Sequence, residues 1–165
     1  MKYSILALLI TVALSGQAQS KTTEKLHKKY SEALSLFFYN NTLRMINQTD
    51  DKEFDALIKD IEKMKFLMIK KEEFGTDDYK KLISDYKSES FEEMMTSRHD
   101  GKNFDVYMKE GNSKGMIVAV NDSENLYVLD IVGSIPLNKV TTLFKEIDES
   151  TEIGKRIQEF AKHEH

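Results

Sequence analysis

"NFDVYMKEGNSKGMIVAVNDSENLYVLDIVG", residues 103–133, is the stretch whose reading decides the fold. Three apolar runs, 103–109, 115–121 and 125–133, are separated by Gly111-Asn112-Ser113 and by Asp122-Ser123. Short turn-forming separators between runs rich in β-branched and aromatic residues predict an antiparallel meander. In the first run Phe104, Val106 and Met108 alternate with Asp105, Tyr107 and Lys109, the pattern of a half-buried strand. In the third, Tyr127, Leu129 and Ile131 alternate with Leu126, Val128, Asp130 and Val132. Asp100-Gly101 is a hairpin signal that adds "MMTSRH" (94–99) to the same sheet.

Asp130 is the anomaly. If Tyr127, Leu129 and Ile131 face the helices, Asp130 shares the other face with Asp105 and Lys109. A cross-strand ion pair there is worth only fractions of a kcal/mol, whereas a buried, unpaired carboxylate costs several. The expectation is therefore a wet outer face on which Asp105, Tyr107, Lys109, Leu126, Val128 and Asp130 form a contact surface for a protein partner. That face also carries aliphatics, and periodicity leaves open whether the first or last helix covers it.

Upstream, Leu26, Tyr30 and Leu34 recur at helical spacing, and "SLFFY" (35–39) reads as a strand. Phe54, Leu57, Ile58, Ile61 and Met64 mark the clearest amphipathic helix, followed by the strand "KFLMIKK" (65–71). The order strand, helix, strand predicts a right-handed βαβ crossover with parallel strands. Tyr79, Leu82, Ile83 and Tyr86 mark a further helix, with another turn or two over 90–95. Gly133 ends the last strand, and Pro136 opens a helix whose buried stripe is Leu137, Val140, Leu143, Phe144 and Ile147. A weaker helix carries Ile153, Ile157, Phe160 and Ala161. The predicted class is α+β: a mixed or antiparallel sheet, a βαβ unit followed by a meander, packed on one face by helices.

The N-terminus sets the compartment. Lys2, an apolar run from Ile5 to Leu14 and small residues up to Ala18 have the form of a cleavable export signal, residues 1–18. A run of ten residues is too short to span a bilayer, which needs about 20. What remains, residues 19–165, is the length of one domain, with a helical tail over 148–165. The expected product is periplasmic or secreted, with no membrane span in the mature chain. There is no cysteine, hence no disulfide, no thiol nucleophile and no lipid attachment through a lipobox cysteine. The chain carries 24 basic and 28 acidic residues, interspersed, which speaks against a nucleic-acid partner.

Motifs for chemistry are sparse. Asp50-Asp51, Asp77-Asp78 and Ser90-x-x-Glu93 sit where helices are expected to begin, so they read as caps rather than as acid–base pairs. His27, His99, His163 and His165 lack metal-site spacing. There is no G-x-S-x-G, G-x-G-x-x-G or P-loop, and the methionines fall on apolar stripes. No catalytic residue, cofactor or metal is predicted.

"SLFFYNNTLRMI", "DALIKDIEKMKFLMI", "SFEEMMTSRHDGKNFDVYMKE" and "LYVLDIVGSIPLNKVTTLF" together resemble the domain-of-unknown-function 4252 family, small exported proteins of Bacteroidota, over about 30–147. The resemblance implies an exported α+β domain, carries over no catalytic residues, and suggests an envelope regulatory or sensing role by analogy. The leading expectation is a non-enzymatic envelope protein that binds or regulates a protein partner. The alternative is a carrier of a small apolar ligand between sheet and helices; a hydrolase ranks third.

Overall fold

The computed structural model describes residues 19–47, 50–111 and 114–147, the side chains of 144–147 excepted. The 153–161 helix, the export segment, His163 and His165 lie outside the described residues. Element order is α1 (Lys21–Lys29), β1 (Leu34–Tyr39), α2 (Asn40–Ile46), α3 (Lys52–Ile58), β2 (Ile61–Lys70), α4 (Thr76–Ser88), β3 (Glu92–His99), β4 (Lys102–Lys109), β5 (Gly115–Asn121), β6 (Asn125–Gly133) and α5 (Leu137–Ile147). The six strands form one sheet in the order β1-β2-β6-β5-β4-β3. Every pair is antiparallel, so the class is α+β.

The meander stands as its turns predict, from β3 to β6. The βαβ unit does not. β1 and β2 are neighbours but run antiparallel, with Leu34 opposite Met68 and Tyr39 opposite Lys63. Two short helices join them instead of one crossover helix, and the pair α2–α3 turns the chain back on itself. The helical stripe 54–64 also ends early, at Ile58. Ile61 and Met64, three residues apart, would face opposite sides of a regular strand. A register shift between Ile61 and Lys63 brings both into one core, which is why a helical period survives inside a strand.

The region 90–95 is likewise not helical. Ser90 has φ +68° just beyond the end of α4, and β3 begins at Glu92, so Ser90-x-x-Glu93 caps nothing. The other acidic caps hold. Asp51 accepts the N–H groups of Glu53 and Phe54 at 2.8 and 3.2 Å, and Asp78 accepts that of Gly75 at 3.1 Å. Each satisfies helix-end donors that would otherwise be orphaned, worth about 1 kcal/mol per cap.

Helices cover both faces of the sheet, not one. On one side Leu43, Ile46, Phe54, Leu57, Val140 and Leu143 from α2, α3 and α5 pack on Phe66, Val106, Met116, Leu129 and Ile131. On the other, Leu26, Tyr79, Leu82 and Tyr86 from α1 and α4 pack on Leu67, Tyr107, Ile117, Leu126 and Val128. Each large aliphatic side chain buried this way contributes about 1.5–3 kcal/mol. Alternation along β4 and β6 sorts side chains between the cores as the sequence predicts; the difference is that both sides are covered.

Candidate functional site

The second core is where the polar residues gather. Of the six residues expected on an open contact surface, Asp105, Tyr107, Leu126, Val128 and Asp130 are buried beneath α1 and α4, and Lys109 is half-buried with its ammonium near the Phe91 ring. The exposed-face expectation is corrected: Asp105 is 0 % and Asp130 2 % exposed. The physical reason lies in α1 and α4, which bring polar groups of their own to meet those carboxylates.

Asp130 lies opposite Lys65 of β2 and Ile117 of β5. Its carboxylate accepts the Ser20 N–H at 3.0 Å and a hydrogen bond from the Thr23 hydroxyl. Thr23 also hydrogen-bonds the Tyr86 hydroxyl at 2.8 Å. Burial pushes the Asp130 carboxyl up to about 6, against the Thr23 and Ser20 hydrogen bonds and the Lys65 charge, which draw it down. Lys65 is itself buried, and that burial lowers its ammonium. It donates to His27 Nδ1 at 2.9 Å, in the tautomer protonated on Nε2, and lies 4.6 Å above the Phe37 ring. Burial, then the Lys65 charge, lowers His27.

Glu89, just past α4, completes this cluster. It accepts the N–H groups of Lys21 and Thr22 at 3.0 and 2.5 Å and the Ser20 hydroxyl at 3.0 Å. Burial raises its carboxyl, but the hydrogen bonds from Thr22, Lys21 and Ser20 outweigh it and hold the group below its ordinary value. Ser20 meanwhile caps α1 through the Thr22 and Thr23 N–H groups. Carboxylates from β6 and from the end of α4 thus bind the first turn of α1, where the helix dipole favours negative charge.

A second cluster surrounds Asp105. It accepts the Tyr79 hydroxyl, the Thr96 hydroxyl at 2.8 Å and Arg98 Nη1 at 2.8 Å. Burial, then the Asp105 hydrogen bond, drives the Tyr79 phenol far up. Burial likewise pushes Tyr107 up to about 12, with Asp105 and Glu93 adding to it.

A cleft of about 180 Å³ opens between the start of α1, the end of α4 and strands β5 and β6. Glu89 and Asp130 both line it, and one carboxyl held low beside one pushed high is the arrangement acid–base chemistry uses. Here, however, both carboxylates are engaged by Ser20, Lys21, Thr22 and Thr23. The arrangement clamps a helix. A second cleft, of about 30 Å³, lies between α3 and α5. Neither reaches the roughly 300 Å³ of small-molecule pockets, so neither offers the cavity a ligand carrier needs. Among the described residues no group of three His, Asp or Glu side chains is placed to hold a metal, and no helix is long and apolar enough to cross a membrane.

Lys65, Ser20 and Glu89 were absent from the sequence-predicted site. The available signal was Asp130, the one charge in the apolar strand β6; the antiparallel β2–β6 pairing that sets Lys65 opposite it was not readable. No curated protein and no solved structure matches the chain. A family model, described as a domain of unknown function, DUF4252, matches residues 19–143, from the residue before the α1 cap into α5. The chain belongs to the DUF4252 family.

Proposed function

We propose that this is an exported, non-enzymatic envelope protein that works by protein contact, and that it receives an extended segment of its partner on the free edge of β1. One observation carries the reading: the two edges of the sheet are guarded unequally. β3 bears Glu92, Glu93, Arg98 and His99 and a register shift between Glu93 and Met95, the devices that keep an edge from pairing. β1, "LSLFFY", has no charge, no proline and no irregularity in its register. Phe37 is 51 % and Tyr39 62 % exposed, both on the α1 side of the strand, and Met45 of the following helix is 68 % exposed.

An added strand would satisfy the outer N–H and C=O groups of β1 and cover Phe37 and Tyr39 as alternate side chains, the usual division between affinity and specificity in strand addition. The export reading rests on the 1–18 signal pattern, and the non-enzymatic reading on the engagement of both cleft carboxylates with α1. The test is capture of the tagged protein from intact cells, wild type beside Phe37→Glu plus Tyr39→Glu. A stoichiometric partner that is lost with this pair, and kept with the guarded-edge variant Ser97→Glu, supports the reading. A partner indifferent to the β1 substitutions refutes it.

A further inference from the structure

Three observations converge on the start of α1. The export pattern places the scissile bond after Ala18, so the released chain begins at Gln19. Gln19 lines the 180 Å³ cleft together with Glu89 and Asp130. Its side-chain Nε2 is buried there without a hydrogen-bond partner, while the next residue, Ser20, is bound at both its N–H and its hydroxyl. We infer that this cleft is the receiving site for the chain's own processed N-terminus, holding the Gln19 α-ammonium between the Glu89 and Asp130 carboxylates.

The inference rests on the export reading. The step is hydrolysis by an export peptidase. Water adds across the Ala18–Gln19 amide, the C–N bond breaks, Ala18 leaves as a carboxylate and the Gln19 nitrogen becomes an ammonium. Successive residues are at most about 3.8 Å apart, and Ser20 N is 3.0 Å from Asp130 Oδ2, so the new charge lies within roughly 7 Å of that carboxylate. Within about 4–6 Å, which that bound admits, an opposite charge favours the ionised form of both partners. Lys21, Lys109 and Lys114 also face the cleft, Lys65 approaches Asp130 from β2, and Tyr86 abuts it from α4. The Lys109 ammonium rests 5.8 Å from the Phe91 ring centroid. The α1 dipole opposes a cation at this end, so the two carboxylates are what retain the amine.

Order follows from burial. A peptidase must enclose the chain on both sides of its bond, and Ser20 is buried in the docked protein. Cleavage therefore precedes docking of α1, and the ammonium it creates then favours docking.

The experiment uses the protein recovered after export. Intact mass and N-terminal fragmentation establish where it begins. Acylation by an amine-reactive ester, followed across pH, then reads the α-amine in the folded chain and in concentrated urea. The expected result is a chain beginning at Gln19 whose amine titrates about one unit higher when folded, reacting about tenfold more slowly at neutral pH. Glu89→Gln moves the profile back toward the urea value. A chain beginning elsewhere overturns the export reading. A chain beginning at Gln19 whose amine titrates alike in both states, or has been lost by cyclisation with release of ammonia, overturns this inference and leaves export standing.

Discussion

Substituting Gly133 by alanine tests the junction on which both β2 and the cleft depend. Gly133 has φ +119°, a conformation side chains rarely adopt, and it pairs with Ile61 where the β2–β6 register shifts. A Cβ built there would stand 2.1 Å from the Asp60 carbonyl oxygen and 3.1 Å from Ile61 Cα. Neither neighbour is free to retreat. The Asp60 oxygen accepts the Ser134 N–H at 3.1 Å, and Gly133 itself donates to the Lys114 carbonyl at 2.9 Å. The disfavoured backbone costs about 1–3 kcal/mol, and relieving the contact by shifting backbone costs about as much again. The total, roughly 2–6 kcal/mol, is a large share of the 5–15 kcal/mol that holds a typical domain together. For a chain of this size it corresponds to a fall in Tm of roughly 5–20 °C. Urea unfolding followed by circular dichroism measures the loss. Gly101→Ala is the control, with φ +74° and nothing within 4 Å of its added Cβ, and it should lose only about 1 kcal/mol. If Gly133→Ala loses no more than Gly101→Ala, the packing of Asp60 against β6 is wrong.

Asp105→Ala should destabilise by about 3–5 kcal/mol in the same assay, because it strands the Tyr79 and Thr96 hydroxyls and the Arg98 contact, while Asp105→Asn, which keeps an acceptor, should lose clearly less. Glu89 is held below its ordinary carboxylate range when folded, so its stabilisation is complete above the unfolded value near 4.5 and fades as pH falls through the folded one. Glu89→Gln should therefore flatten that part of the acid-unfolding profile; an unchanged profile would show that Glu89 does not clamp α1. Phe37→Glu with Tyr39→Glu should cost no more than about 1–2 kcal/mol, the loss of the Phe37 ring contact with Lys65 included, since both side chains are largely exposed, and a larger loss would mean that they belong to the core.

The meander was legible in the sequence because its turns are short and its alternation regular, and β4 and β6 sort their side chains as that alternation requires. The direction of β2 was not. Twenty-one residues separate Tyr39 from Ile61, enough for either a crossover or a return, and only tertiary packing selects α2–α3 as a return. The covering of the second face was half legible. Leu126, Val128 and Val132 make β6 apolar on both sides, the composition of a strand buried on both faces. Asp105 and Asp130 argued the other way because a buried carboxylate is costly unless it is satisfied. Their partners, Ser20, Thr23, Tyr79 and Arg98, come from segments between 7 and 110 residues distant, beyond the reach of periodicity.

Site-directed photo-crosslinking in intact cells tests whether the free edge of β1 receives a partner. A photoreactive residue is placed at Tyr39 or Met45, and in parallel at Ser97 on the guarded edge. A discrete adduct with one partner is expected from Tyr39 and Met45 and none from Ser97. No adduct from the β1 positions, or the same adducts from all three, would contradict it; an adduct of twice the chain's mass would identify the partner as a second copy.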